Sequence, residues 1–275
     1  FPNPFLRMCY SDIPILYLNR DLSIGSGIYT DIALEYPVLT GGFLAVTRAI
    51  TGLLGAVISP EATFDEQLAA SQLFFQVNAI ALFVCFVVTV WAHLKMGRDS
   101  PRVGYAGPVR VWDALLIAAS PIVALNGLIN WDMFAVMLTS IGLLIWSRKY
   151  PFIAGGVLGL AFAAKFYPVL VLVAITLICV RSGHYRALAR AWIGAVVAWL
   201  AVNVPVMIFA WQGWSKFWTL NADRGADLGS IWYVLTLAGL KLPAVSAIAF
   251  VCMAISGAAV CWLVLRAPRR PRLAQ

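Results

Sequence analysis

A single lysine, Lys165, interrupts the otherwise uncharged apolar run 151–180, which is bounded by Arg148 and Lys149 before and by Arg181 after. An ammonium at bilayer depth costs about 2.5–3.5 kcal/mol on insertion scales, so such a lysine faces a cavity or a partner and marks a functional position. The chemistry open to it is that of a point charge for phosphate, with the break at Pro168 providing a cavity to face. The plain alternative is snorkelling to the interface, with Tyr167 as an aromatic-belt residue.

General-base chemistry needs a carboxylate within hydrogen-bond reach of the hydroxyl it deprotonates. The N-terminal segment offers Asp12 in Cys-Tyr-Ser-Asp-Ile-Pro, and Asp31 and Glu35 in Tyr-Thr-Asp-Ile-Ala-Leu-Glu-Tyr-Pro. Each also reads as a solvated loop acid, and the helical spacing of Asp31 and Glu35 also suits one exposed face. Asn130 and Asp132 either orient Lys165 or bind substrate, or else cap a helix beginning near Met133. The segment 211–233 carries Trp214, Trp218, Trp232 and Tyr233 around Arg224. Indoles cover the apolar faces of sugars and an arginine holds phosphate bidentately. An interfacial amphipathic helix, with Arg224 in a surface ion pair with Asp223 or Asp227, is the competing reading.

The elements that must position these groups are membrane helices. Of 275 residues 62% are hydrophobic and only 12% charged, with a mean hydropathy of +0.86, beyond what a soluble core requires. Apolar windows fall at 38–59, 73–94, 114–128, 133–146, 152–164, 168–180, 191–211 and 245–265. The expected fold is an all-α polytopic membrane protein with about seven membrane helices between residues 73 and 265, in one membrane domain. Four windows are short for a hydrocarbon core of about 30 Å, so they stop short or meet in a recessed cavity.

Basic residues cluster in the connections 95–110, 148–149 and 181–190 and after 265, which the positive-inside rule places in the cytoplasm. Ten of the twelve acidic residues, all but Asp99 and the nearby Asp113, lie in the segments left for the outer side. The net charge of +8 is therefore spread over loops beside spans and forms no nucleic-acid stripe. Full crossing by 38–59 would invert this pattern, so that window reads as a juxtamembrane or re-entrant helix following an extracytoplasmic loop, 1–37. The segment 212–242 is a second extracytoplasmic loop. Asn126, Asn130, Asp132 and Lys165 then share the outer side, on turns of short hairpins, as in substrate-binding broken helices.

His93 and His184, the only histidines, fall on the cytoplasmic side, which excludes an outer-face histidine base. No phosphate-binding loop or dinucleotide fingerprint is present. The five cysteines lack CxxC spacing, so neither a disulfide framework nor a zinc site is suggested. No cofactor is called for, although carboxylates leave a divalent cation open. Gly155 and Gly159 have the GxxxG spacing of helix packing.

The order Tyr-Ser-Asp-Ile, Glu-Tyr-Pro before an apolar helix, Asn-Gly-Leu-Ile-Asn-Trp-Asp, Ala-Ala-Lys-Phe-Tyr-Pro and Asn-Ala-Asp-Arg-Gly-Ala-Asp resembles actinobacterial polyprenol-phosphate-mannose-dependent mannosyltransferases, within the type C glycosyltransferases. The resemblance covers almost the whole chain through short motifs. It implies a helical bundle with an outer N-terminal loop carrying a catalytic aspartate, matched here by Asp12, and a first membrane helix expected ahead of Phe1. It also implies a plasma-membrane enzyme that takes a hexose from a polyprenyl-phosphate donor to a glycan or glycolipid acceptor of the cell envelope, with inversion. Lys165 and Arg224 would hold the donor phosphate. Glu35, Tyr36, Asn130, Asp132, Trp214, Trp218, Trp232 and Tyr233 would bind substrate. The alternatives are a transporter or flippase of lipid-linked sugars and a non-catalytic envelope-assembly subunit.

Overall fold

The computed structural model describes residues 10–99, 114–223, 225–226, 230–240 and 243–267. Its helices are α1 (Asp12–Asn19), α2 (Val38–Leu53), α3 (Phe64–Asp99), α4 (Leu115–Ala118), α5 (Pro121–Asn126), α6 (Asp132–Ser147), α7 (Pro151–Ala164), α8 (Pro168–Ser182), α9 (Tyr185–Phe209), α10 (Trp211–Asp223), α11 (Ile231–Leu237) and α12 (Val245–Arg266). Among the described residues there is no strand, only an isolated bridge between Ile28 and Ile32. The chain is an all-α membrane protein: α3, α9 and α12 are long and apolar enough to span a bilayer, and α2, α6, α7 and α8 are shorter apolar helices.

Prolines set several boundaries. Pro121, Pro151 and Pro168 stand in the first turns of α5, α7 and α8, where a missing N–H costs nothing and φ is already helical. The window 114–128, expected as one helix, is instead broken at Ser120, whose extended backbone precedes Pro121. The resulting α5 has 6 residues, or about 9 Å of rise, and crosses nothing. At the other end of α8, Gly183 adopts φ 73° and lets the His184 N–H return to the Cys179 carbonyl.

Helix α7 is central and packs against α2, α6, α8 and α9. Its contact with α9 is made backbone to backbone. A Cβ on Gly155 or Gly159 would overlap the carbonyl of Ala191 or Ala195, and one on Gly194 would overlap that of Phe152.

Residues 10–37 are more structured than the polar loop expected of them. Ile13 and Tyr17, four apart, put one face of α1 into the core, and Tyr17 stacks on Phe74 of α3 with ring centroids 4.5 Å apart. Leu22, Tyr29, Ile32 and Leu34 follow into the same cluster with Leu44, Trp131 and Met133. Apolar residues spaced to meet α2, α3 and α6 make this segment part of the bundle's core, although it contains no span.

Candidate active site

Lys165 is the residue at which α7 ends. Its N–H still bonds to the Ala161 carbonyl at 2.9 Å, but its own backbone is extended (φ −152°, ψ 153°) and carries the side chain out of the helix. The ammonium lies 2.5 Å from Asp132 Oδ1 and 5.4 Å from the centroid of the Tyr36 ring. The Lys165 side chain is 33% exposed and that of Asp132 48%. Oδ1 itself is buried beneath the ammonium, so the exposure of Asp132 belongs to the rest of the side chain. The lysine is thus partnered on two sides and does not snorkel as a lone charge.

Asp132 opens α6, where the carboxylate meets the positive end of the helix. The N-cap of α6 is Trp131, which makes no side-chain cap bond, and Asn130, one residue earlier, closes a local turn by accepting the Asp132 N–H on its Oδ1 at 2.9 Å. Trp131, between them, is 2% exposed. Its indole N–H donates to Asn78 Oδ1 of α3 at 2.8 Å, and its ring meets Tyr36 edge-on at 5.2 Å between centroids.

The same turn anchors Asp12. The Asp12 N–H donates to the Ile129 carbonyl at 2.8 Å, and the Ser11 hydroxyl to the Leu128 carbonyl at 2.6 Å. A turn that carries Asp132 at one end therefore holds the start of α1 at the other. The Tyr10 phenol donates to Asp12 Oδ1 at 2.5 Å. That hydrogen bond, with some burial and the carboxylate's charge, raises the Tyr10 pKa above the ordinary tyrosine value.

Glu35 is occupied by Arg20, which donates through Nη2 at 2.5 Å and Nε at 3.1 Å. This pair ties the end of α1 to the segment before α2. Asp31 closes a local turn by accepting the Gly27 N–H at 2.7 Å. Tyr29, at φ 72°, donates its hydroxyl to the carbonyls of Tyr36 and Pro37, at 2.8 Å each. Its own carbonyl lies so close to Gly213 that any Cβ there would clash, which brings α10 against this segment.

Trp214 and Trp218 lie on α10, facing a tight aromatic slot with Tyr36, Phe166 and Trp199. Much of the slot's polar capacity is already used. The Trp214 N–H goes to Asn203 Oδ1 at 2.9 Å, and Asn203 Nδ2 goes to the Trp199 carbonyl at 2.9 Å. Trp232 and Tyr233 are on α11, where the Tyr233 N–H and the Trp232 carbonyl serve local turn and helix bonds to Ser230 and Thr236. Arg224 lies outside the described residues.

The structure therefore gathers Tyr36, Asp132 and Lys165, bonds Asn130 to the Asp132 backbone, and ties Asp12 to the same turn. Sequence reasoning passed over Thr40, Asn78, Trp131 and Asn203. For the two asparagines a signal existed, since each is a polar residue inside an apolar window, the criterion that singled out Lys165.

No curated protein and no solved structure matches the chain. The model of glycosyltransferase family 87 matches residues 51–275, a stretch that includes Asn78, Asn130, Trp131, Asp132 and Lys165; Asp12, Glu35 and Tyr36 precede it. With the match running over most of its length, the chain belongs to glycosyltransferase family 87.

Proposed function

We propose that the chain transfers a hexose, mannose in the first instance, from a polyprenyl-phosphate donor to a glycan or glycolipid acceptor on the extracytoplasmic face of the plasma membrane. The acceptor oxygen attacks the anomeric carbon while the bond from that carbon to the phosphate oxygen breaks. The electron pair leaves with the polyprenyl phosphate, the acceptor proton passes to Asp12, and the configuration inverts. Lys165 holds the phosphate through its charge, in the bound donor as well as in the departing group. Arg224 is a second candidate for that phosphate, and Glu35, Trp232 and Tyr233 remain candidates for the sugar and acceptor.

The observation that carries this reading is the Lys165 ammonium, held 2.5 Å from Asp132 and over the Tyr36 ring. It stands at an interhelical turn, and its partner Asp132 begins at the turn that anchors Asp12. The lipid-linked donor is supported by the motif order shared with polyprenol-phosphate-mannose enzymes and by a lysine suited to phosphate within the apolar part of the chain.

The test is transfer from labelled polyprenyl phosphomannose by the protein in proteoliposomes containing a cell-envelope glycolipid acceptor. Asp12→Asn is expected to lower turnover by about 10²–10⁴, the usual worth of a general base. Lys165→Ala is expected to weaken the use of donor. Unchanged turnover in both variants rejects the assignment, and transfer from a nucleotide sugar without lipid phosphate rejects the donor.

A further inference from the structure

Asn78 is 0% exposed inside α3, the longest apolar helix, where an unpaired amide is costly. Both halves of its side chain are used. Nδ2 donates back to the Phe74 carbonyl at 2.8 Å, and Oδ1 accepts the Trp131 indole N–H at 2.8 Å. An indole only donates, so the amide has one workable orientation and the Trp131 ring is fixed by it.

Trp131 reaches Lys165 by two routes. Along the chain it directly precedes Asp132, the carboxylate on the ammonium. Through space its ring meets Tyr36 edge-on, and the face of Tyr36 carries the ammonium. A rotation of the indole would move both groups that surround the lysine. We infer that Asn78 and Trp131 are positioning residues, which hold Asp132 and Tyr36 so that the Lys165 ammonium is preset for the donor phosphate.

This assignment rests on the reading of Lys165 as the phosphate-holding group. Neither residue touches substrate in this scheme, so the effect falls on binding before it falls on chemistry. Asn78→Leu keeps the volume and removes the acceptor. Trp131→Phe keeps an aromatic ring and removes the donor.

The test measures kcat and KM for polyprenyl phosphomannose in proteoliposomes, for each variant alone and in a Lys165→Ala background. Both variants are expected to raise the donor KM by about three- to tenfold, in the lower part of the range for residues coupled in one network, with kcat within about twofold. In the Lys165→Ala background neither should raise it further. An unchanged KM in the folded single variants overturns the inference, as does an equal rise in the Lys165→Ala background. Should Asn78→Leu fail to fold, Trp131→Phe decides alone. If Lys165→Ala itself leaves the donor KM unchanged, the phosphate reading fails, and this inference with it.

Discussion

The hydroxyl of Thr40 on α2 donates to the carbonyl of Ala164, the last residue of α7, at 2.6 Å. In an uninterrupted helix that carbonyl would accept the N–H of residue 168, but residue 168 is a proline and has none. Thr40 supplies the missing donor one residue before Lys165. Thr40→Val keeps the shape and strands the carbonyl in apolar surroundings, at a cost of about 1–3 kcal/mol. A lower thermal midpoint in detergent and a higher donor KM are expected for Thr40→Val, and Thr40→Ser should restore both. Equal losses in Val and Ser would show that methyl packing, not the hydroxyl, matters.

The Tyr10 phenol orients Asp12 as long as it stays protonated. Its pKa is raised in the folded protein, so the hydrogen bond is complete below the ordinary tyrosine value and is lost only as the pH climbs through the raised one. Tyr10→Phe is expected to lower kcat several-fold at neutral pH. The gap between wild type and variant should hold up to about pH 10, the unperturbed tyrosine value, and close only above it. A gap that closes between neutrality and pH 9 would place the titrating group elsewhere.

Packing of α7 on α9 makes a sharper prediction about glycines. Gly155 and Gly159 face backbone carbonyls that cannot swing aside, whereas a Cβ on Gly156 would find only the Gly194 carbonyl, 3.8 Å away. Valine at 155 or 159 should cost about 1–3 kcal/mol or more through overpacking. Gly156→Ala should be tolerated. Monodispersity in size-exclusion chromatography and the thermal midpoint compare the three directly.

Whether α2, whose sixteen residues rise about 24 Å, follows the re-entrant or juxtamembrane path expected of it is a question for labelling. On that path, single cysteines at Glu61 and Asp223 should react with a membrane-impermeant maleimide from the same side, and one at Lys149 from the other. Cytoplasmic labelling at Glu61 would require α2 to cross and would reverse the placement of the site.

Much of this architecture was legible in the sequence because lipid imposes a simple rule: apolar windows become helices, and prolines and charges end them. The windows at 133–146, 152–164, 168–180, 191–211 and 245–265 each became a helix with nearby ends. Lys165 and Asp132 stood out for the same reason, since an isolated charge near apolar sequence needs an explanation. What stayed hidden depends on distant residues meeting. Helix α1 is short and defined by burial against α3, a partner that no local pattern announces. The Arg20 partner of Glu35 and the Asn78 partner of Trp131 are likewise pairs across the fold. The bond from the Asp132 N–H to the Asn130 side-chain oxygen is local, but the sequence alone did not choose it over the other partners open to an asparagine there.

The resting pair of Lys165 and Asp132 has a consequence for selectivity. An ammonium already matched to a carboxylate at 2.5 Å is a weaker sink for stray anions than a bare one, because its charge is largely balanced before a newcomer arrives. On the proposed reading, free phosphate would gain little there. A lipid-borne phosphate would arrive with its chain already in the membrane, and that anchoring would make up the difference. The carboxylate would then keep the ammonium aimed at the site without making it a general anion trap.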